Sequence, residues 1–133
     1  MPGTGRTLRI TTVSQPGDLT TVVRLSGEVD ADSSRTLDHQ LRTRMPVASR
    51  YLIVDLSEVT LMGAAGIRVL LEHTKRLAGS GRRMLTVAST PHMVRLLRLT
   101  EATGALNIHP SMPSAMIACL TRFDARGTGT PSG

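Results

Sequence analysis

Residues 59–71 read VTLMGAAGIRVLL, a β-rich segment that passes through four small residues, Gly63-Ala64-Ala65-Gly66, straight into an amphipathic helix. Behind it lies YLIVDLS, residues 51–57, a nearly continuous apolar run of strand length. Such a run is expected of a central strand covered on both faces, and its one acid, Asp55, then needs a partner. Ahead of it the pattern predicts a helix from about Ala64 to Ala78, with Ile67, Leu70, Leu71, Thr74 and Leu77 on one face. Gly79-Ser80-Gly81 supplies a left-handed stop. Strand, tight turn and helix form half of a crossover unit.

Outward from this stretch, residues 7–13 (TLRITTV) and 20–26 (TTVVRLS) read as strands joined at Gln15-Pro16-Gly17-Asp18, an opening hairpin. After Gly27-Glu28-Val29-Asp30, a cap at Asp32 or Ser33 starts a helix on which Leu37, Leu41 and Met45 recur every four residues, ended by Pro46, and Asp30 is a further residue suited to holding that start or to meeting a basic partner. Met84 to Ala88 reads as an interior strand. Pro91 opens a short helix carrying Val94 and Leu97, closed at Thr103-Gly104, and a short strand follows from Ala105 to His109. After Pro113 a final helix is expected to turn Met116, Ile117 and Leu120 toward a core. Alternating strands and helices imply an α/β fold with a partly parallel sheet. The expected division is an N-terminal extension (1–6), one domain (7–122) and a disordered tail (123–133), whose Gly-, Thr-, Pro- and Ser-rich composition cannot build a core.

A chain of 133 residues suits one such domain. Aromatic residues make up 2% of it, so the core must come from Leu, Val, Ile, Met and Ala, and base stacking is disfavoured. Sixteen basic against ten acidic residues leave a net charge of +6. These charges are spread along the chain, with Arg82-Arg83 the one adjacent arginine pair, so neither a nucleic-acid nor a membrane partner is expected. A single cysteine, Cys119, precludes an internal disulfide, and with no signal-like or spanning apolar run the expected location is cytoplasmic.

In this setting residues 52–66, LIVDLSEVTLMGAAG, resemble the signature of STAS domains, the anti-anti-sigma family, and GEVD (27–30) resembles the family's Gly-Glu-Leu/Ile-Asp element. The resemblance runs from about residue 8 to residue 121. It implies a single STAS-like α/β domain in the order β-β-α-β-α-β-α-β-α, with a mixed, mostly parallel sheet of four to five strands and about four helices. In that family the turn usually reads Asp-Ser-Ser-Gly. Its first serine is phosphorylated by a partner that is both serine kinase and anti-sigma factor, and the unphosphorylated form sequesters that partner. Here Gly63 stands at the aspartate position and Ala64 at the serine position, a degenerate phospho-acceptor position where transfer is chemically excluded.

The resemblance therefore implies an anti-sigma factor antagonist, a binding module and not an enzyme, acting without a cofactor as a monomer or weak homodimer. Its partner would be an anti-sigma factor of serine-kinase fold, met through Glu28, Asp30, Ser33, Met62, Gly63, Ala64, Ala65, Gly66 and Arg68. Ser57 and Thr60 are the nearby hydroxyls to which a displaced switch would move, although turns and strands use such residues routinely. The alternative is a ligand-sensing module in which the helix start at Gly63 to Gly66 holds a nucleotide or other anion on its unpaired N–H groups. His39, His73, His92 and His109 show no metal-ligand spacing. Asp55, Glu58 and Glu72, expected on a strand, a loop and a helix, show no convergence toward a catalytic group.

Overall fold

The computed structural model describes residues 7–14, 19–100 and 105–128, with Thr100 and residues 121–128 as backbone only. Five strands and four helices follow in the order β1 (Arg9–Val13), β2 (Thr20–Val29), α1 (Ala31–Thr43), β3 (Tyr51–Met62), α2 (Ala64–Gly79), β4 (Arg83–Val87), α3 (Pro91–Thr100), β5 (Ile108–His109) and α4 (Met112–Thr128). They form one sheet in chain order, β1-β2-β3-β4-β5. β1 and β2 are antiparallel, and every later neighbour is parallel.

That order dictates the layers. Successive crossovers of the same hand, all stepping in one direction along a sheet, put their helices on the same side. Accordingly Leu37 and Leu41 of α1, Ile67, Leu70 and Leu77 of α2, and Met93 and Leu97 of α3 share a core with Leu52, Val54 and Leu56 of β3. The opposite face carries Tyr51, Ile53, Leu85 and Val87, and α4 covers these with Ala115 and Cys119. β3, buried on both faces from Tyr51 to Leu56, is the central strand its apolar run predicts. Asp55 lies on it with its Oδ1 accepting from the Ser57 N–H (2.9 Å) and Oγ (2.6 Å), and its Oδ2 is 3.7 Å from Arg24 Nε.

Several expectations need correction. α1 is capped by Asp30, the capping role open to that residue in the sequence, and not by Asp32 or Ser33; Ser33 is the third helical residue and returns a bond to the cap. Met45 lies beyond α1, which closes at Arg44. β3 continues through Glu58 to Met62, so Glu58 is on a strand and not in a loop. Two extra residues on β3, taken up as bulges opposite Arg24 to Glu28 of β2, hide that continuation from a period-two reading. Gly27, with φ of 94°, sits at these bulges, in a conformation that favours glycine. β5 is shorter than expected, and beside it Asn107 offers β4 both its side chain, with Nδ2 donating to the Met84 carbonyl, and its carbonyl, which accepts the Thr86 N–H.

The largest change concerns α4. Met116, Ile117 and Leu120 are 41%, 62% and 65% exposed, whereas Ala115 and Cys119 face the sheet. The sheet supplies the bulk there, through Tyr51, Ile53 and Leu85, and a helix seated on large side chains contributes small ones. α4 also extends to Thr128, into the stretch read as a tail. The turn at Gln15 to Asp18 and the stop at Thr103-Gly104 lie outside the described residues.

Candidate functional site

In a parallel sheet the strand ends and the starts of the following helices meet at one edge. Here the Gly63 N–H donates to the Val29 carbonyl over 2.8 Å, placing the beginnings of α1 and α2 side by side. On α1, Ser33 N–H donates to Asp30 Oδ1 and Asp30 N–H donates to Ser33 Oγ, both at 2.8 Å, a reciprocal capping box. The Ser33 hydroxyl has the Glu28 carbonyl within 3.1 Å and Asp30 Oδ1 within 2.9 Å as acceptors. The backbone and hydroxyl bonds from Ser33 hold the Asp30 carboxyl below its ordinary pKa, so it stays charged.

α2 starts differently. Its cap, Gly63, has no side chain, and its carbonyl receives the N–H groups of Gly66 (3.1 Å) and Ile67 (3.2 Å). A Cβ on Gly66 would stand 2.5 Å from Met62 Sδ and 2.6 Å from Val29 Cγ1, and one on Gly63 would stand 3.3 Å from the Val29 carbonyl oxygen. The small residues therefore let α2 seat closely on β2 and β3. Asp30, Ala64 and Arg68 are exposed, Glu28, Ser33, Gly63 and Ala65 are half-buried, and Met62 and Gly66 are buried beneath them. A shallow depression of about 310 Å³, lined by Glu28, Asp30, Asp32, Ser33 and Thr36 with Thr7 and Leu8, adjoins this edge.

The family described as "Mlab, STAS domain" matches residues 6–108. This chain is a STAS domain. Among solved structures, an anti-sigma factor antagonist from Mycobacterium paratuberculosis is 24% identical, with a TM-score of 0.75 over 84% of this chain and 93% of that one. The unphosphorylated form of the anti-sigma factor antagonist SpoIIAA is 16% identical, with a TM-score of 0.62 over 86% and 98%. A variant of RsbS from Moorella thermoacetica is 18% identical, with a TM-score of 0.67 over 86% and 98%. At these identities the shared property is the fold, and the single α/β domain with a five-stranded mixed sheet is that of the STAS family.

Ser57 and Thr60 are both exposed on β3 of the STAS domain. The Ser57 hydroxyl donates to Asp55, and the Thr60 hydroxyl donates to the Gly27 carbonyl over 3.2 Å. Both line a cleft of about 730 Å³ with Thr7, Arg9, Ser26 and Thr90. Among the described residues no group of three His, Cys, Asp or Glu side chains is placed to hold a metal ion, and no helix is long and apolar enough to cross a membrane.

One polar cluster escaped the sequence reading. His73 is 1% exposed, its Nε2 lies 2.7 Å from Asp38 Oδ1, and its Nδ1 receives Arg76 N–H groups at 2.9 and 3.2 Å. Because arginine can only donate, Nδ1 is the acceptor and the proton sits on Nε2, pointing at Asp38: a neutral imidazole tying α2 to α1. Burial lowers the His73 pKa against the opposing pull of Asp38. The signal was present, since His73 follows Leu70 by three residues and precedes Leu77 by four on the buried stripe of α2. Asp38, 35 residues earlier, gave no sign of being its partner.

Proposed function

We propose that this STAS domain is an anti-sigma factor antagonist. It binds an anti-sigma factor of serine-kinase fold through the paired starts of α1 and α2 and so frees a sigma factor in the cytoplasm. The observation that carries this reading is the single edge on which Glu28, Asp30 and Ser33 meet Gly63, Ala64, Ala65 and Arg68, joined by the Gly63-to-Val29 hydrogen bond. Similarity in fold to structures described as anti-sigma factor antagonists supports it. Ala64 has no hydroxyl to accept phosphate and leaves the switch position blank, so binding is constitutive unless another group regulates it. Met62 and Gly66 act from below, by seating the helix. The ligand-sensing alternative is the weaker reading, because the Gly66 and Ile67 N–H groups at this helix start already donate to the Gly63 carbonyl.

Affinity capture on immobilised wild-type protein, with Ala64→Glu as the control bait, tests the proposal. Ala64 is exposed, so the variant should fold normally, yet it forces an unpaired acid into the contact and should abolish capture. Recovery of a serine-kinase-type anti-sigma factor on wild type alone is the expected result. Equal recovery on both baits would remove this edge from the interface, and recovery of none would overturn the antagonist assignment.

A further inference from the structure

Arginines that look dispersed along the sequence are gathered by the topology at the end of the domain opposite the proposed partner edge. Crossover helices run against their strands, so α1 and α2 finish where β3 and β4 begin. Arg42 and Arg44 lie in the last turn and at the C-terminal cap of α1, Arg76 in the last turn of α2, Arg50 just before β3 and Arg82 just before β4. Arg82 Nε and Nη2 donate to the Ser49 and Pro46 carbonyls, both at 2.9 Å, and so pin the loop 45–50 among them. The charges are close enough to interact: after burial, the neighbouring Arg42 and Arg82 lower the pKa of Arg76. Asp38 meets Arg42 at 3.3 Å but is also engaged by His73, Arg44 donates to Gln40 Oε1 and, over 3.0 Å, to Thr12 Oγ1, and the exposed Arg50 guanidinium has no partner among the described residues. Helix dipoles favour cations here, yet they do not account for the loop between them, whose tip is Val47, 97% exposed.

We propose that this basic end docks on an anionic phospholipid bilayer, the guanidinium groups meeting headgroup phosphates and Val47 entering the interfacial layer. Planar guanidinium forks suit phosphate oxygens, and a bared aliphatic tip ringed by cations gains from an acyl boundary what it cannot gain from water or a sugar-phosphate backbone. Tyr51, next to Arg50, is buried, leaving no exposed aromatic ring among the described residues here for a nucleic-acid base. Dispersion in sequence and the lack of a spanning segment argued against a membrane partner; gathering by the fold and docking without spanning answer both points. The reading is independent of the antagonist assignment, whose edge would face away from the bilayer.

The chain contains no tryptophan, so Val47→Trp installs a unique reporter. Its emission should shift to the blue with phosphatidylglycerol-containing vesicles and stay unmoved with pure phosphatidylcholine vesicles. Wild-type protein should co-sediment with the same lipid dependence. Arg50→Ala, which loses no described side-chain contact, should weaken vesicle binding about fivefold with unchanged circular dichroism, and the double variant Arg44→Ala/Arg50→Ala, which also gives up the exposed bonds from Arg44 to Gln40 and Thr12, about thirtyfold. No wild-type co-sedimentation, or equal binding to neutral vesicles, would overturn the proposal. So would short duplex DNA binding the Val47→Trp protein as tightly as the vesicles do.

Discussion

A methyl group added at Gly66 would meet one neighbour that can yield and one that cannot. Met62 is flexible, but Val29 is stiff at χ1 and faces Gly66 with its Cγ1 2.6 Å from the would-be Cβ. Gly66→Ala gains about 1 kcal/mol in helix propensity and incurs an overpacking cost of about 1–3 kcal/mol. With Val29 unable to move, the cost should win, and the urea midpoint should fall. Asp30 presents the opposite case, where the side chain and not its absence holds the helix start. Asp30→Ala should lower the melting temperature and Asp30→Asn much less, because asparagine still accepts the Ser33 N–H; thermal melts of both variants check this. The sequence places four small residues together at 63–66. It did not say that Gly66 is small for packing while Ala64 is simply exposed, since that difference depends on which neighbours β2 brings alongside.

Helices divide into those whose buried face was readable and one whose face was not. α1 and α2 show clear apolar stripes, and their contact adds the buried Asp38–His73–Arg76 cluster. A histidine whose folded pKa lies below the ordinary 6.5 takes up fewer protons than its unfolded counterpart. Stability contributed by the neutral imidazole is therefore complete above that value and is lost as pH falls from it toward the depressed folded pKa. Urea midpoints on either side of 6.5 should show this acid-side loss, and His73→Gln should flatten it; an identical slope in the variant would assign the effect to other groups. On α4 two candidate stripes compete, 115/119 and 116/117/120, and hydrophobicity alone picks the wrong one. Ile117→Lys should consequently alter stability by no more than about 0.5 kcal/mol. Ala115→Leu, pushed against Ile53 and Leu85, should cost about 1–3 kcal/mol by denaturant titration.

At the scale of the whole molecule, the strand order was reachable only through family resemblance, because periodicity gives elements without their neighbours. The order then produces what no local window contains: the acidic start of α1 beside the bare start of α2 at one end, and five arginines from distant segments at the other. Two cores on opposite faces of one sheet share β3, so unfolding should be a single cooperative event. Tyr51, the lone tyrosine, lies under α4; its fluorescence and the far-ultraviolet dichroism should lose signal at the same urea concentration, and an earlier loss at Tyr51 would mean that α4 detaches on its own. The position of α4 in the chain has a further consequence during synthesis. It follows all five strands, so a ribosome-bound chain can assemble the sheet and cover one side of it while Tyr51, Ile53, Leu85 and Val87 still lie open on the other. A nascent domain stalled at that point would present a greasy, strand-rich face to its surroundings, making the last helix the step at which chaperone protection is needed and then released.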